Sequence, residues 1–265
     1  MEKYNVKFKK RFGQNFLKDI NIVKKIIEVS GVDGDSLVIE VGPGGAIMTC
    51  ELGKVAENVL AYEIDKDLED DLLRKVGNYN NINVLFKDFL DVSLEDDIEG
   101  YNYKKLLFVS NVPYYITTPI ILKILKSNVK FDNIVMMVQK ELGERICSKP
   151  GSRNYGSITV LLNYYYNIKI EFQVSRNNFI PVPNVDSVVI SFKEKENKFY
   201  VKDIDFFERI VRDSFQFKRK TIRNNLKKYD LEKILQVLKK YNYDLSVRSE
   251  MLSVDIFVDI ANSLK

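Results

Sequence analysis

The chain has 265 residues, 45% of them hydrophobic and 29% charged, with a net charge of +4, which is the balance of a soluble globular protein of one large domain or a large and a small one. It has no histidine and two cysteines, Cys50 and Cys147, neither in a CxxC pair, which excludes Cys/His zinc sites, a disulfide framework and every mechanism built on a histidine base. No apolar run reaches the length of a membrane span and no apolar stretch follows the basic N-terminus, so no membrane partner and a cytoplasmic location are expected.

Ile20, Val23, Ile26 and Ile27 recur at helical spacing and predict a first helix over Ile20–Val29, ending near Gly31. Leu37–Val41 predicts a buried strand that runs into Gly42-Pro43-Gly44-Gly45. After a helical stretch, Val59–Glu63 predicts a second strand and Asp67–Val76 another helix. Val84–Phe86 with Lys87-Asp88, then Leu106–Asn111 and Ile134–Val138, predict three more strands. Apolar strands alternating with helices predict an α/β fold, a parallel sheet covered on both faces. Two further strands, Ile168–Val174 and Val185–Phe192, flank the turn Phe179-Ile180-Pro181-Val182-Pro183. From about Asp203 the spacing is helical, as in Phe206, Phe207, Ile210 and Val211. The predicted division is therefore residues 1–198, a sheet domain with a basic N-terminal arm, and 199–265, a small helical domain.

Ligands of parallel sheets bind at the carboxyl ends of the strands, so Glu63, Asp88 and Asn111 are expected to line one crevice. The glycines after Val41 let the backbone turn sharply and approach a ligand, although a structural tight turn uses them equally well. Glu63, at the end of the next strand, stands where an acid grips ribose hydroxyls in Rossmann-like sites. Two cofactor classes compete for such a crevice. A dinucleotide requires a third glycine, where Ile47 stands, and its phosphates would be repelled by Glu40. A sulfonium carries no phosphate, and S-adenosylmethionine is the better match.

Asn111-Val112-Pro113-Tyr114 closes the fourth strand and is the most specific signal for chemistry. The N6 lone pair of adenine is delocalised into the ring and is a poor nucleophile. The Asn111 side-chain oxygen and a main-chain carbonyl in the Pro113 region can accept the N6 hydrogens and draw the nitrogen toward tetrahedral geometry. Positioning and fixed dipoles then supply most of the rate, and no strong base is needed. Tyr114 is expected to stack on a base taken out of its helix. The competing reading is a strand-to-helix turn with Asn111 and Pro113 as turn formers.

With these elements in place the chain resembles the RNA adenine N6-dimethyltransferases, and within them the small-subunit ribosomal RNA dimethyladenosine transferases. The resemblance covers nearly the whole chain. It is carried by Gly13-Gln14-Asn15-Phe16-Leu17, Glu40-Val41-Gly42-Pro43-Gly44, Glu63-Ile64-Asp65 and Asn111-Val112-Pro113-Tyr114, and further on by Phe179 to Ser187 and Arg219 to Leu226. It implies a Rossmann-like methyltransferase sheet with a C-terminal helical domain that binds RNA or the ribosome. It also implies that Asn15, Leu17, Gly42, Glu63, Asp88 and Asn111 contact S-adenosylmethionine, which leaves as S-adenosylhomocysteine. Asn111, Pro113 and Tyr114 would form the methylation site, with Phe179 as a second aromatic against the target base. The implied reaction dimethylates two adjacent adenosines in a hairpin near the 3′ end of 16S rRNA, within a precursor 30S particle. Such an enzyme doubles as an assembly factor, acting as a monomer without metal. Departures are mild: Gly45 stands where the family often has a bulky residue and is expected to loosen the loop, Val112 replaces Leu, and Phe217 replaces a polar or basic residue.

Two basic clusters fit an RNA backbone: Lys3, Lys7, Lys9, Lys10 and Arg11, and Lys218, Arg219, Lys220, Arg223, Lys227 and Lys228. The alternatives are a solvated face or, for Arg219 and Arg223, packing between domains. Two rival functions share many features: a 23S rRNA adenine N6-methyltransferase of the macrolide-resistance type, and a non-catalytic RNA-binding assembly factor on the same fold.

Overall fold

A computed structural model describes residues 15–196 and 199–265. The basic N-terminal cluster and the Gly13-Gln14 pair lie outside the described residues. The chain divides into two compact units, one comprising residues up to Gly143 with Lys169–Lys193, the other Glu144–Ile168 with Glu194–Lys265. Where the sequence suggested successive pieces meeting at 198/199, the chain leaves the first unit after residue 143 and returns to add further strands. Residues 144–168 therefore group with the C-terminal helices.

The elements begin with β1 (Phe16–Leu17), α1 (Ile20–Ser30), β2 (Ser36–Val41), α2 (Ile47–Gly53) and β3 (Asn58–Tyr62). There follow α3 (Glu69–Val76), β4 (Ile82–Leu85), α4 (Leu94–Ile98), β5 (Lys105–Asn111), α5 (Thr117–Lys126) and β6 (Asn133–Gln139). After α6 (Lys140–Ile146) and α7 (Ser157–Tyr165) come β7 (Tyr166–Val174), β8 (Phe179–Ile180) and β9 (Ser187–Glu194). Four helices close the chain: α8 (Ile204–Ser214), α9 (Ile222–Asn225), α10 (Leu231–Lys240) and α11 (Val254–Leu264).

Seven strands form one sheet in the order β4-β3-β2-β5-β6-β9-β7. From β4 to β6 the neighbours are parallel, whereas β9 runs antiparallel to β6, so the expected parallel sheet is mixed at one edge. Every residue of β2 is buried, as are Leu106–Ser110 of β5. Burial on both faces is why these strands read as continuous apolar runs rather than as alternation. The chain runs outward from β2 to β3 and β4, then returns to β5 on the other side of β2. That reversal opens a crevice beyond the strand ends, between the loops that follow β2 and β5.

A second, two-stranded sheet pairs β1 with β8, Phe16 opposite Ile180 and Leu17 opposite Phe179. It joins two sequence motifs more than 160 residues apart by backbone hydrogen bonds, extended by the Lys18 N–H donating to the Asn178 carbonyl at 2.9 Å.

In the second unit, Phe207 of α8 is fully buried, its ring 4.9 Å from that of Tyr164. Buried Asn225 clamps the turn after α8: its side chain donates to the Ser214 carbonyl at 2.6 Å and the Phe217 carbonyl at 3.3 Å, and accepts from the Phe217 N–H at 3.1 Å. The exposed Lys218, Arg219 and Lys220 ride on this turn. Among the described residues no helix is long and apolar enough to cross a membrane, and no cluster of metal-binding side chains occurs. Because removing one partner strands several buried groups, Asn225→Ala is expected to cost about 1–3 kcal/mol, read from urea unfolding curves.

Candidate active site

The crevice at the ends of β2, β3 and β5 opens to solvent. Two glycines on its floor have no substitute. Gly42 has φ +76°, its N–H donates to the Tyr62 carbonyl at 2.8 Å, and a Cβ there would lie 3.3 Å from the Pro113 ring. Gly44 has φ +51°, and a Cβ would fall 2.5 Å from Cε1 of Phe16. Left-handed backbone and missing room act together at both positions. The next left-handed residue is Ala46, at φ +62°, rather than Gly45, whose carbonyl accepts from Lys75 Nζ at 3.2 Å.

Glu63 follows β3 and is 5% exposed. Its two carboxylate oxygens accept from the Gly44 N–H at 3.2 Å and the Asp65 N–H at 2.9 Å, tying the end of β3 to the glycine loop. Burial raises its pKa despite these donors. Asp88 lies beyond β4, with one oxygen accepting from the Leu90 N–H at 2.9 Å.

Asn111 is the last residue of β5. Its amide donates from Nδ2 to the Asn15 carbonyl at 3.3 Å, which turns the Oδ1 atom away from that partner. Beneath it, buried Ser110 donates to the Val41 carbonyl at 2.6 Å, locking the ends of β2 and β5 together. Asn15, Leu17, Gly42, Glu63, Asp88, Asn111, Pro113 and Tyr114 all line the one crevice.

Two expectations are corrected. The Pro113 carbonyl already accepts from the Ile116 N–H and from Thr117 Oγ1, both at 3.2 Å, because it starts the turn into α5. The carbonyl of neighbouring Val112, which also lines the crevice, accepts no hydrogen bond among the described residues. Phe179 is 0% exposed and packs in the core with Leu17, Val23 and Val174, outside the crevice lining. Its pairing with Leu17 turns the ring inward, so no base can reach it in this structure. Lys218, Arg219, Lys220 and Arg223 are exposed on the second unit, where nearby Lys228 is engaged by Asp213 at 2.9 Å.

The crevice also contains residues that the sequence did not single out: Phe16, Ile64, Phe89 and Tyr115. Each adjoins a residue that was chosen (Leu17, Glu63, Asp88 and Tyr114), so adjacency at a strand end was the available signal. Tyr115 is 49% exposed at the mouth.

Glu40 is 1% exposed, and its Oε2 has no partner among the described residues. Burial, aided by the charge of Glu63, pushes its pKa up to about 8. At neutral pH it keeps its proton, so phosphate repulsion by an anionic Glu40, expected above, is not what this site offers. The preference against phosphates stands on other residues. Glu63 and Asp88 are acidic, and Lys87 is the one cation among the described residues of the lining. Carboxylates, amide and carbonyl oxygens and apolar walls suit a cationic nucleoside with hydroxyls and an exocyclic amine, so S-adenosylmethionine fits the residues present.

A family model described as ribosomal RNA adenine dimethylase matches residues 5–265. Proteins named ribosomal RNA small subunit methyltransferase A match over the whole chain. The one from Ligilactobacillus salivarius is 39% identical over 92% of its length, that from Streptococcus agalactiae 38% over 94%. Among solved structures, a dimethyladenosine transferase from Plasmodium falciparum superposes with a TM-score of 0.77 at 25% identity, covering 92% of this chain and 95% of that one. The 23S rRNA methyltransferase ErmE gives 0.73 at 25% identity, covering 94% and 99%.

The ionisation of Glu40 has a consequence for stability. Its folded pKa of about 8 lies above the ordinary 4.5, so the contribution is complete below pH 4.5 and is lost as pH rises through 8. Glu40→Gln should therefore gain stability over the parent between pH 5 and pH 9, by on the order of a few kcal/mol, in thermal melts across that range. Parallel pH profiles for the two proteins would refute the buried acid.

Proposed function

Because the chain belongs to the ribosomal RNA adenine dimethylase family, we propose that it dimethylates N6 of two adjacent adenosines in a hairpin near the 3′ end of small-subunit (16S) rRNA. The observation that carries this reading is the Asn111 amide at the end of β5, its nitrogen held by the Asn15 carbonyl and its oxygen left for a substrate. The named relatives at 37–39% identity are small-subunit enzymes, which favours that substrate over 23S rRNA.

When bound, S-adenosylmethionine supplies an electrophilic methyl group on a sulfonium. Asn15, Leu17, Gly42, Glu63 and Asp88 would hold it, Glu63 at the ribose hydroxyls and Asp88 at the adenine amine. Asn111 Oδ1 accepts one N6 hydrogen of the target. The Val112 carbonyl takes the acceptor role in the Pro113 region, since it accepts no hydrogen bond among the described residues. Two such acceptors draw the nitrogen out of conjugation and direct its lone pair toward the donor. Tyr114 stacks on the base, which must be unstacked from its helix to enter, for about 1–3 kcal/mol. The methylated nitrogen is acidic and loses its proton to solvent without a protein base.

The C-terminal helical region, 199–265 in the sequence reading, serves as the RNA- or ribosome-binding part, with Lys218, Arg219, Lys220 and Arg223 on phosphates. These contacts position the enzyme without reading sequence. The working setting is a precursor 30S particle in the cytoplasm, with the enzyme acting as a monomer.

Methyl-labelled donor offered with unmethylated 30S particles and with 23S rRNA tests the substrate. Label in the particles, mapped to dimethyladenosine, is the expected outcome, and label only in 23S rRNA overturns it. Asn111→Ala should lower turnover by about a hundredfold or more while RNA binding persists. Unchanged turnover would remove Asn111 from the mechanism. Arg219→Ala and Lys220→Ala should each weaken RNA binding and lower the slope of log affinity against log salt by about one.

A further inference from the structure

The catalytic tyrosine is fastened from a distant part of the chain. Its hydroxyl lies 2.6 Å from Oγ of Ser187, 73 residues away, and either oxygen can donate. Ser187 is 0% exposed and opens β9, where Val188, Val189 and Ile190 follow as buried apolar residues. A fully buried hydroxyl requires a partner, and among the described residues Tyr114 is the one its side chain has.

Ser187 is itself held rigidly. It pairs with Gln139 in the β6–β9 ladder. The preceding Asp186 accepts from the Lys140 N–H through its carbonyl, and from the Arg176 N–H through Oδ1, both at 3.0 Å. On the other side, Thr117 Oγ1 donates to the Tyr114 carbonyl at 3.3 Å, fixing the main chain but not the ring. The ring's remaining large motion is a swing about its Cα–Cβ bond, and the bond to Ser187 holds its far end against that swing.

We propose that Ser187 is a positioning residue for methyl transfer, holding the Tyr114 ring in the place where the target base stacks. This rests on the proposed function, since the ring matters only if a base enters the crevice. A base stacked on a ring that swings away would present N6 away from Asn111 Oδ1, and small misplacement of a reacting atom is costly in rate. Ordering the ring before the substrate arrives leaves less to order during the reaction.

The test is a double-mutant cycle with Ser187→Ala, Tyr114→Phe and the double variant, using 30S particles as substrate. Each single change removes one end of the same hydrogen bond and keeps the aromatic ring. Each is expected to lower kcat by about three- to tenfold, the worth of one neutral hydrogen bond, with KM for the particle unchanged. The double variant should be no slower than the slower single one. If Ser187→Ala lowers the melting temperature but leaves kcat intact, or if the two effects multiply, Ser187 is only a structural residue and the proposal fails. A parent chain that methylates no rRNA would overturn both this proposal and the function it rests on.

Discussion

The contact between the Gly42 backbone and the Pro113 ring is the constraint on which the site depends. These residues follow neighbouring strands, and a Cβ on Gly42 would lie 3.3 Å from the ring, a tight contact on a left-handed backbone. The loop that would hold the methyl donor is thereby pressed against the motif that would hold the acceptor. The hydroxyl of Ser110 on the Val41 carbonyl closes the same seam from below. Sheet geometry sets the separation of donor and acceptor, and close-packed interiors leave it little freedom to vary. An in-line displacement between two bound molecules needs this arrangement, because proximity is the largest contribution that such a site can make.

The electrostatics follow from burial. Burial pushes the pKa of Glu40 up to about 8, with the nearby negative charge of Glu63 adding to it, and its Oε2 has no partner among the described residues. Glu63 is also buried but takes two backbone N–H donors, which support its anionic form against desolvation. Two carboxyl groups near one loop thus have different tasks. One would offer a surface to hydroxyl groups, the other a neutral part of the floor. The acceptors nearest the proposed chemistry, an amide and a main-chain oxygen, do not titrate near neutral pH at all, which suits a chain without histidine.

Much of this was legible in the sequence, for physical reasons. Buried parallel strands must be apolar on both faces, so β2, β3, β5 and β6 appeared as short hydrophobic runs. Ligands gather at the carboxyl ends of such strands, so Gly42, Glu63, Asp88 and Asn111 could be placed in one crevice before any coordinates. Three things were not legible. The grouping of residues 144–168 with the C-terminal helices leaves no mark in composition, because contacts rather than polarity define it. The burial of Phe179 depends on which face of a two-residue strand turns inward, and two residues show no alternation from which to read that. The protonation of Glu40 depends on complete burial of its carboxyl, which no motif records.

The motif at 111–114 divides its labour more finely than its letters suggest. Asn111 has its nitrogen committed to Asn15, and its oxygen has no partner among the described residues. Pro113 gives its ring to the Gly42 contact and its carbonyl to the turn into α5. Tyr114 gives its hydroxyl to Ser187, leaving the ring as its means of meeting a base. Val112 has its side chain buried and its carbonyl unengaged. Asn111, Val112 and Tyr114 thus each spend one group on structure and keep another available, while Pro113 is wholly structural. A substitution that spared the available groups but loosened the structural ones would still misplace the acceptor, and residues far along the chain, such as Ser187, belong to the site for that reason.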